Sequence, residues 1–229
     1  MNPQGFSVWI GYDSREPIAS HVCAHSIIRR ASRPVKIGFL NLSSLGEIFQ
    51  RPDPDGSTEF SLSRFLTPYL ADNGVSMFCD GDFLFLADVW ELYETMASDI
   101  YADIACVQHD YVPRTQRKFL GQPQATYPKK NWSSLMLFNG HRSAVRNLTP
   151  TVVQSHSPAY LHQMEWAKNI SALPKVWNFL VGELDPIPVS EIKALHYTLG
   201  IPMFREYNDC DYAAEWLAEL HHMQHCAEG

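Results

Sequence analysis

The sequence lacks the cysteine spacing that marks redox and metal-binding motifs. It contains five cysteines, none of them in a CxxC pair: Cys23, Cys79, Cys106, Cys210 and Cys226. Cys79 and Cys106 lie within apolar, strand-like runs. Because this scattered pattern resembles neither a disulfide framework nor a CxxC motif, we expect reduced and mostly buried thiols.

The sequence also lacks a long apolar run and an excess of positive charge. No segment approaches the roughly 20 apolar residues that span a bilayer, and the opening MNPQGFSVWIGYDSRE has no signal-peptide pattern. We therefore expect a cytoplasmic protein without a transmembrane segment. The formal net charge of −7 argues against a general affinity for nucleic acid or anionic membranes, although this argument does not apply to a local basic loop.

Strand-like and helix-like segments alternate along the first 140 residues. The pattern predicts strands at 7–12, 34–42, 74–80, 102–108 and 132–139, and helices at 17–31, 60–70 and 89–96. After that it becomes mostly helical and loop-like, with a short strand predicted at 194–200 and a final helix at 211–224. This β/α alternation predicts an α/β fold with a mostly parallel central sheet, helices on both faces, and ligands at the carboxyl ends of the strands.

Two aspartates, Asp80 and Asp82, follow a predicted buried strand with only Gly81 between them. In an extended chain, residues two apart point the same way, so both carboxylates could face one point, and Gly81 would let a ligand approach the backbone. Two carboxylates suit Mg²⁺ or Mn²⁺, which keep open positions for phosphate oxygens. The pattern also fits a simple acidic turn, but the flanking apolar runs favour a cation site because buried unpaired charge is costly.

The run FSLSRFLTPYL…GVSMFCDGDFLFLADVWELYE resembles the donor-site region of family 8 glycosyltransferases, the glycogenin-like GT-A enzymes, and of related bacterial sugar transferases. Four further segments resemble that family in the same order: SVWIGYDSREPIASHVCAHSI, WSSLMLFN, LPKVWNFL and ALHYTLGIPMF. The resemblance implies a single GT-A domain over 1–229, with a nucleotide- and metal-binding half at about 1–110 and an acceptor-side half at about 111–229. It also implies sugar transfer from a UDP-sugar, with Mn²⁺ (or Mg²⁺) and with retention of anomeric configuration.

The same resemblance implies roles for individual residues. Asp80, Asp82 and His196 match the metal ligands, and Asp13 matches the residue that reads the uracil. Further expected donor contacts are Tyr12 and Arg15 at the base and phosphate, Arg64 near the donor, and Gly81 and Gly200 in the donor-binding segments. Three of these residues have a structural alternative: His196 could be purely structural, Asp13 could stabilise the turn while Ser14 and Glu16 cap the helix, and Arg64 could be a solvated helix residue.

The residues expected around the transferred sugar are Asp82, Asn178 and Glu165. Asn178 in VWNFL is a candidate contact for a sugar hydroxyl, whereas Glu165 aligns loosely and also fits a solvated helix carboxylate. No residue is assigned as nucleophile. The metal and basic side chains would stabilise the departing diphosphate, which is the main electrostatic contribution expected here.

One departure from the family pattern leaves the diphosphate without its usual cation. The family has a lysine after the late glycine, but GIPMF contains none. Arg15, Arg64 or the basic segment 114–130 could replace it; the cations of that segment are Arg114, Arg117, Lys118, Lys129 and Lys130. The segment fits a solvated surface or a lid over the nucleotide.

Two alternatives to a glycosyltransferase come from other classes. A catalytically silent nucleotide-sugar-binding protein would need the same pocket, and a haloacid-dehalogenase-like phosphohydrolase also has aspartates two apart after a strand. The second fits less well, because Phe83 and Leu84 follow where that class has small hydroxylated residues. The sequence leaves the sugar, the oligomeric state and the acceptor open, whether glycan, lipid-linked, protein or small molecule.

Overall fold

A computed structural model describes residues 5–53, 56–72, 74–115, 117–118, 121–123 and 128–225 of the chain. Its strands are β1 (Phe6–Gly11), β2 (Val35–Leu40), β3 (Val75–Cys79), β4 (Phe83–Phe85), β5 (Ile104–Val107), β6 (Arg117–Lys118), β7 (Gln122–Pro123), β8 (Leu135–Asn139), β9 (Ile170–Leu173), β10 (Phe179–Leu180) and β11 (Ala194–His196). Its α-helices are α1 (Pro17–Arg30), α2 (Thr67–Leu70), α3 (Trp90–Ser98), α4 (Ser143–Arg146), α5 (Pro150–Ser155), α6 (Pro158–His162) and α7 (Ala213–Gln224).

Six strands form the central sheet in the order β2-β1-β3-β8-β5-β9. β1 pairs in parallel with both β2 and β3, β5 pairs in parallel with β9, and β8 is antiparallel to its two neighbours. Five of the six strands therefore run in one direction, so their carboxyl ends meet at one edge. This mostly parallel sheet confirms the predicted fold class.

Both faces of the sheet are covered, each by its own hydrophobic core. Phe6, Val8 and Ile10 point to one face, where α1 and α3 complete a first core. The opposite face packs against a second core that includes Phe60, Phe78 and residues of α5 and α6. Two covered faces explain why β3, β5 and β8 are almost continuously apolar.

A small second sheet packs beside the first one. β11 pairs in parallel with β10 and antiparallel with β4, which brings His196 opposite Phe83. α1 and α7 cover this sheet through a third core that includes Val22, Leu195 and Trp216. Because β4 follows β3 after a three-residue turn, the small sheet begins next to the carboxyl end of β3.

Several predicted elements differ in extent from those observed. The predicted helix at 60–70 is a short 3-10 turn at Ser63–Leu66 followed by the single turn α2. The strand predicted at 194–200 ends at His196, and β9 and β10 fall where no strand was predicted. Both were missed because they are short, and β9 lacks a clear apolar pattern.

Three predicted buried thiols, Cys23, Cys79 and Cys106, are buried and free of disulfides, while Cys226 lies outside the described residues. Within the described ranges, no helix is both long enough and apolar enough to cross a membrane.

Candidate functional site

The candidate site lies at the carboxyl ends of β1 and β3. From β1 the chain passes through α1 to β2 on one side, and from β2 it returns to β3 on the other side. The loops after β1 and β3 therefore diverge from a crevice, which is the usual ligand position in such sheets. Asp13 and Glu16 follow β1, and Asp80 and Asp82 follow β3.

Asp80, Gly81 and Asp82 form the turn between β3 and β4, not the extended segment that the sequence predicted. The amide N–H of Asp80 donates to the Ser134 carbonyl at 2.9 Å, and the Asp82 carbonyl accepts from the Tyr197 N–H at 3.0 Å. A Cβ at Gly81 would lie 2.5 Å from the Gly11 carbonyl oxygen. The close approach of β1 is therefore enough to require glycine here, without the predicted ligand contact.

The two carboxylates nevertheless converge on His196. The imidazole Nε2 lies 3.3 Å from Asp82 Oδ1 and 4.0 Å from Asp80 Oδ2. The ring is 1% exposed and stacks on Phe83, with ring centroids 4.4 Å apart. Asp80, Asp82 and His196 each offer a ligand atom within 4.8 Å of the others, and they form the candidate metal cluster of the described residues.

Asn178 determines which nitrogen of His196 faces this cluster. Its amide Nδ2 donates to Ser134 Oγ at 2.9 Å, which turns Oδ1 toward His196 Nδ1, also at 2.9 Å. Since Oδ1 can only accept, Nδ1 is the donor of this hydrogen bond, and Nε2 is the ring nitrogen that faces the carboxylates and would bind a cation. Two carboxylates and an imidazole nitrogen fit a first-row divalent ion such as Mn²⁺.

Arg64 lies beside the cluster and is 6% exposed. Its NH1 atom is 2.8 Å from Asp80 Oδ1 and donates to the Ser133 carbonyl at 2.9 Å. The guanidinium also lies over the rings of Phe60 and Phe78. The solvated-residue alternative for Arg64 is therefore wrong, and Arg64 balances part of the charge of Asp80.

Asp13 and Arg15 pair with each other. The two Asp13 oxygens accept from Arg15 Nε at 2.7 Å and Arg15 NH2 at 2.5 Å, and from the N–H groups of Arg15 and Glu59. Burial alone would raise the pKa of Asp13, but these hydrogen bonds lower it below its ordinary value. All four acceptor positions of the carboxylate are in use. The predicted uracil contact of Asp13 and phosphate contact of Arg15 would each need an exchange of partners.

Tyr12 belongs to a partly exposed aromatic group at the carboxyl ends of β1 and β2. Its ring centroid lies 6.4 Å from those of both His21 and Phe39, and His21 and Phe39 are 5.3 Å apart. Phe39 is 37% exposed, so part of its ring is accessible to a ligand. Flat rings at this edge could stack against a base.

The structure gives the surroundings of three further predicted site residues. Asn178 is fully buried, so it contacts His196 and Ser134 instead of reaching the surface as a sugar contact would. Glu165 is exposed on the turn after α6. Gly200 has φ +150°, and a Cβ there would lie 2.3 Å from the Tyr207 ring, which explains the glycine by packing alone.

Sequence reasoning missed two buried groups at this edge. Glu16 was considered only as a helix cap, yet it is 8% exposed and its pKa is raised to about 9 by burial and then by the charges of Asp82 and Asp13. His109 follows β5, and its pKa is lowered to about 3 by burial and then by His196 and Lys175. Their positions after strand ends were the only available signal.

The basic segment 114–130 is described in part. The Arg114 guanidinium pairs with Asp185 at 2.7 Å, and Lys129 Nζ donates to the Gln163 carbonyl at 2.6 Å. Lys130 is 6% exposed. The side chains of Arg117 and Lys118 lie outside the described residues, so the lid stays a prediction.

Comparison with other proteins gives one close relative and a set of distant structural neighbours. No family model matches the sequence. Protein CDI of Arabidopsis thaliana is 44% identical over 224 residues, which covers 94% of this chain and 86% of that protein.

Among solved structures, the chain resembles three glycosyltransferases. The WbbM bifunctional enzyme matches with a TM-score of 0.66 at 16% identity, over 97% of this chain, which spans about half (51%) of WbbM. GlyE of Streptococcus pneumoniae TIGR4 matches with a TM-score of 0.62 at 14% identity, over 94% of this chain and 60% of GlyE. The galactosyltransferase LgtC, solved with donor and acceptor sugar analogs, matches with a TM-score of 0.55 at 14% identity, over 97% and 98%. At such identities these matches show the GT-A fold.

Proposed function

The chain belongs to the family of Protein CDI from Arabidopsis thaliana, and we propose that it is a metal-dependent glycosyltransferase that uses a UDP-sugar. We propose further that it acts as a single GT-A domain, is related to the glycogenin-like family 8, and retains the anomeric configuration. The observation that carries the proposal is the convergence of Asp80, Asp82 and His196 at the topological switch point of a GT-A fold.

In this proposal Asp80, Asp82 and His196 hold Mn²⁺ or Mg²⁺ against the donor diphosphate. When bound, the ion would offset the negative charge that develops on the departing diphosphate. Arg64 fixes one oxygen of Asp80 at 2.8 Å, which leaves the other oxygen directed toward His196. Asn178 acts through His196, as a positioning residue, because its hydrogen bond to Nδ1 orients the ring with Nε2 toward the two carboxylates.

The nucleoside would lie along the carboxyl ends of β1 and β2. Tyr12 and Phe39 supply ring faces for the base, and Asp13 and Arg15 brace the loop beneath it through their mutual ion pair. LgtC was solved with donor and acceptor sugar analogs, and the shared fold supports the proposal that this chain also binds a donor and an acceptor. Glu165 is proposed on the acceptor side.

A catalytically silent nucleotide-sugar-binding protein is the second candidate. It is favoured by the ion pairs Arg64–Asp80 and Arg15–Asp13, which balance charge in the crevice before any cation arrives. The GT-A fold does not support the phosphohydrolase alternative. Binding without turnover would identify the silent protein.

UDP release from UDP-sugars, with Mn²⁺ and without acceptor, tests the proposal. The parent should release UDP slowly and stop on chelation. Asp82→Asn keeps the shape of the side chain but removes a ligand charge, so we expect about a 100-fold or greater loss, in the range reported when a charge-stabilising group is removed. The midpoint temperature of thermal unfolding should be unchanged or slightly raised, because the substitution removes the repulsion between two neighbouring carboxylates.

The matched control is Asp88→Asn, an aspartate six positions further along whose Oδ1 accepts from the Trp90 N–H. It should keep full UDP release. Turnover that survives Asp82→Asn or chelation would contradict the metal-dependent mechanism. UDP-sugar binding without release would replace the enzyme by the binding protein.

A further inference from the structure

Glu16 has a buried carboxyl oxygen that lacks a hydrogen-bond partner among the described residues. The residue is 8% exposed at the N-cap of α1, and its side chain makes no capping hydrogen bond. Among the described residues, Oε2 has no hydrogen-bond partner. Burying a carboxyl oxygen without a partner is costly, so such a group calls for a further partner, which a bound ligand can supply.

The position of Glu16 directs it toward the crevice between β1 and β3. Glu16 ends the loop after β1 and directly precedes α1, with backbone dihedrals outside the helical range (φ −142°, ψ 53°). Four residues later, the Cβ of Ser20 would lie 3.4 Å from a Cβ placed on Gly81, so the first turn of α1 packs against the Asp80–Asp82 turn. The charges of Asp82 and Asp13 both act on Glu16, which sets it between the loop after β1 and the turn after β3.

Glu16 does not belong to the metal cluster. The ligand atoms that lie mutually within 4.8 Å come from Asp80, Asp82 and His196. A ligand group other than the ion can therefore supply the partner of Glu16 Oε2. In a nucleoside diphosphate the ribose connects the base to the diphosphate, so a base near Tyr12 and a diphosphate at the metal cluster would bring the ribose hydroxyls between them.

We propose that Glu16 hydrogen-bonds to the ribose hydroxyls of the nucleoside diphosphate that binds in this crevice. The inference rests on the proposed function and adds a specificity-determining residue to it. Two vicinal hydroxyls present donors and acceptors at a spacing that one carboxyl group can engage with both oxygens. The orphan oxygen would gain a partner only in the complex, so the contact would favour ribonucleotides over deoxyribonucleotides.

The test is calorimetric titration of the complete chain with UDP, 2′-deoxy-UDP and 3′-deoxy-UDP in the presence of Mn²⁺. A ligand that cannot satisfy a buried polar group typically binds about tenfold more weakly. We expect the parent to prefer UDP over at least one deoxy analogue by about that factor. Glu16→Ala should bind UDP about tenfold more weakly and the analogue equally well, so the preference disappears, whereas Glu16→Gln should keep part of it.

Glu91→Ala is the matched control, since Glu91 lies in the first turn of α3 and faces Lys193. It should leave the preference unchanged. A preference that persists in Glu16→Ala, or equal binding of all three nucleotides by the parent, overturns the ribose contact alone.

Further outcomes separate the two proposals. A Glu16→Ala effect seen with UDP-sugar but not with UDP would assign Glu16 to the transferred sugar and overturn the ribose contact. A parent that binds no nucleoside diphosphate overturns both the contact and the proposed function. Thermal unfolding of both Glu16 variants checks the fold.

Discussion

Replacing Asn178 by alanine should weaken metal binding, although the substitution leaves all three proposed metal ligands in place. His196 is 1% exposed, and its Nδ1 has Asn178 Oδ1 as partner at 2.9 Å. Without that acceptor, the tautomer that carries its proton on Nε2 becomes favoured, because Nε2 lies 3.3 Å from Asp82 Oδ1 and can donate a hydrogen bond to it. The imidazole would then be lost as a ligand, because Nε2 no longer has a free lone pair.

The size of the effect follows from the kind of contact removed. Groups that orient a metal-bound histidine typically contribute about 10- to 100-fold to metal affinity, equivalent to about 1.4–2.7 kcal/mol. Asn178→Ala should also reduce the free energy of unfolding by about 1–3 kcal/mol, since buried polar partners are left unsatisfied. Asn178→Asp keeps an acceptor for Nδ1 and should retain most of the metal affinity.

Mn²⁺ titration of each variant, followed by calorimetry with and without UDP, measures the effect directly. Asn139→Ala is the control. Asn139 is also a buried asparagine, but it lies at the end of β8 opposite Val75, whereas Asn178 contacts Ser134 just before the start of β8. Asn139→Ala should lose stability and keep Mn²⁺ affinity. Unchanged Mn²⁺ affinity in Asn178→Ala, or equal losses in Asn178→Ala and Asn178→Asp, would refute this account of His196.

Two further predictions concern charges held inside the fold. Arg64→Met should lower the free energy of unfolding by about 3–5 kcal/mol, because Asp80 loses a buried partner, yet it should tighten Mn²⁺ binding; a loss of both would contradict the pairing. Glu219 binds Arg30 and His25 of α1; burial alone would raise its pKa, but these partners lower it. The stability that Glu219 contributes is therefore fully present above about pH 4.3, the ordinary pKa of a glutamate. It is lost as the pH falls through the lowered pKa of the folded protein. Urea unfolding at pH 7 and at pH 3–4 should show Glu219→Gln less stable at pH 7 and less acid-dependent; parallel pH profiles would argue otherwise.

Local sequence patterns predicted the central sheet well. Apolar runs bounded by polar turns located β1, β2, β3, β5 and β8. The signal is strongest for β3, β5 and β8, because two covered faces make these central strands almost continuously hydrophobic. The convergence of Asp80, Asp82 and His196 came from a resemblance, since no local pattern connects residues so far apart in the chain.

The remaining features depend on long-range partners that a single sequence does not reveal. The four acceptor positions of Asp13 are filled partly by Glu59, and Asn178 faces His196 only because β10 pairs with β11. The orphan oxygen of Glu16 was invisible for the same reason. Burial is a property of the folded chain, so a carboxylate whose sequence position predicts a helix cap can be buried in the structure.

The candidate cation site joins two sheets, which has a consequence for the order of folding. Asp80 and Asp82 lie in the turn that follows β3 of the central sheet, whereas His196 belongs to the small sheet and comes over 100 residues later in the chain. Contacts this distant in sequence form late, since closing the intervening loop costs entropy. An ion would therefore meet its full ligand set only after both sheets have formed. It should slow unfolding by bridging the sheets and leave the rate of folding nearly unchanged.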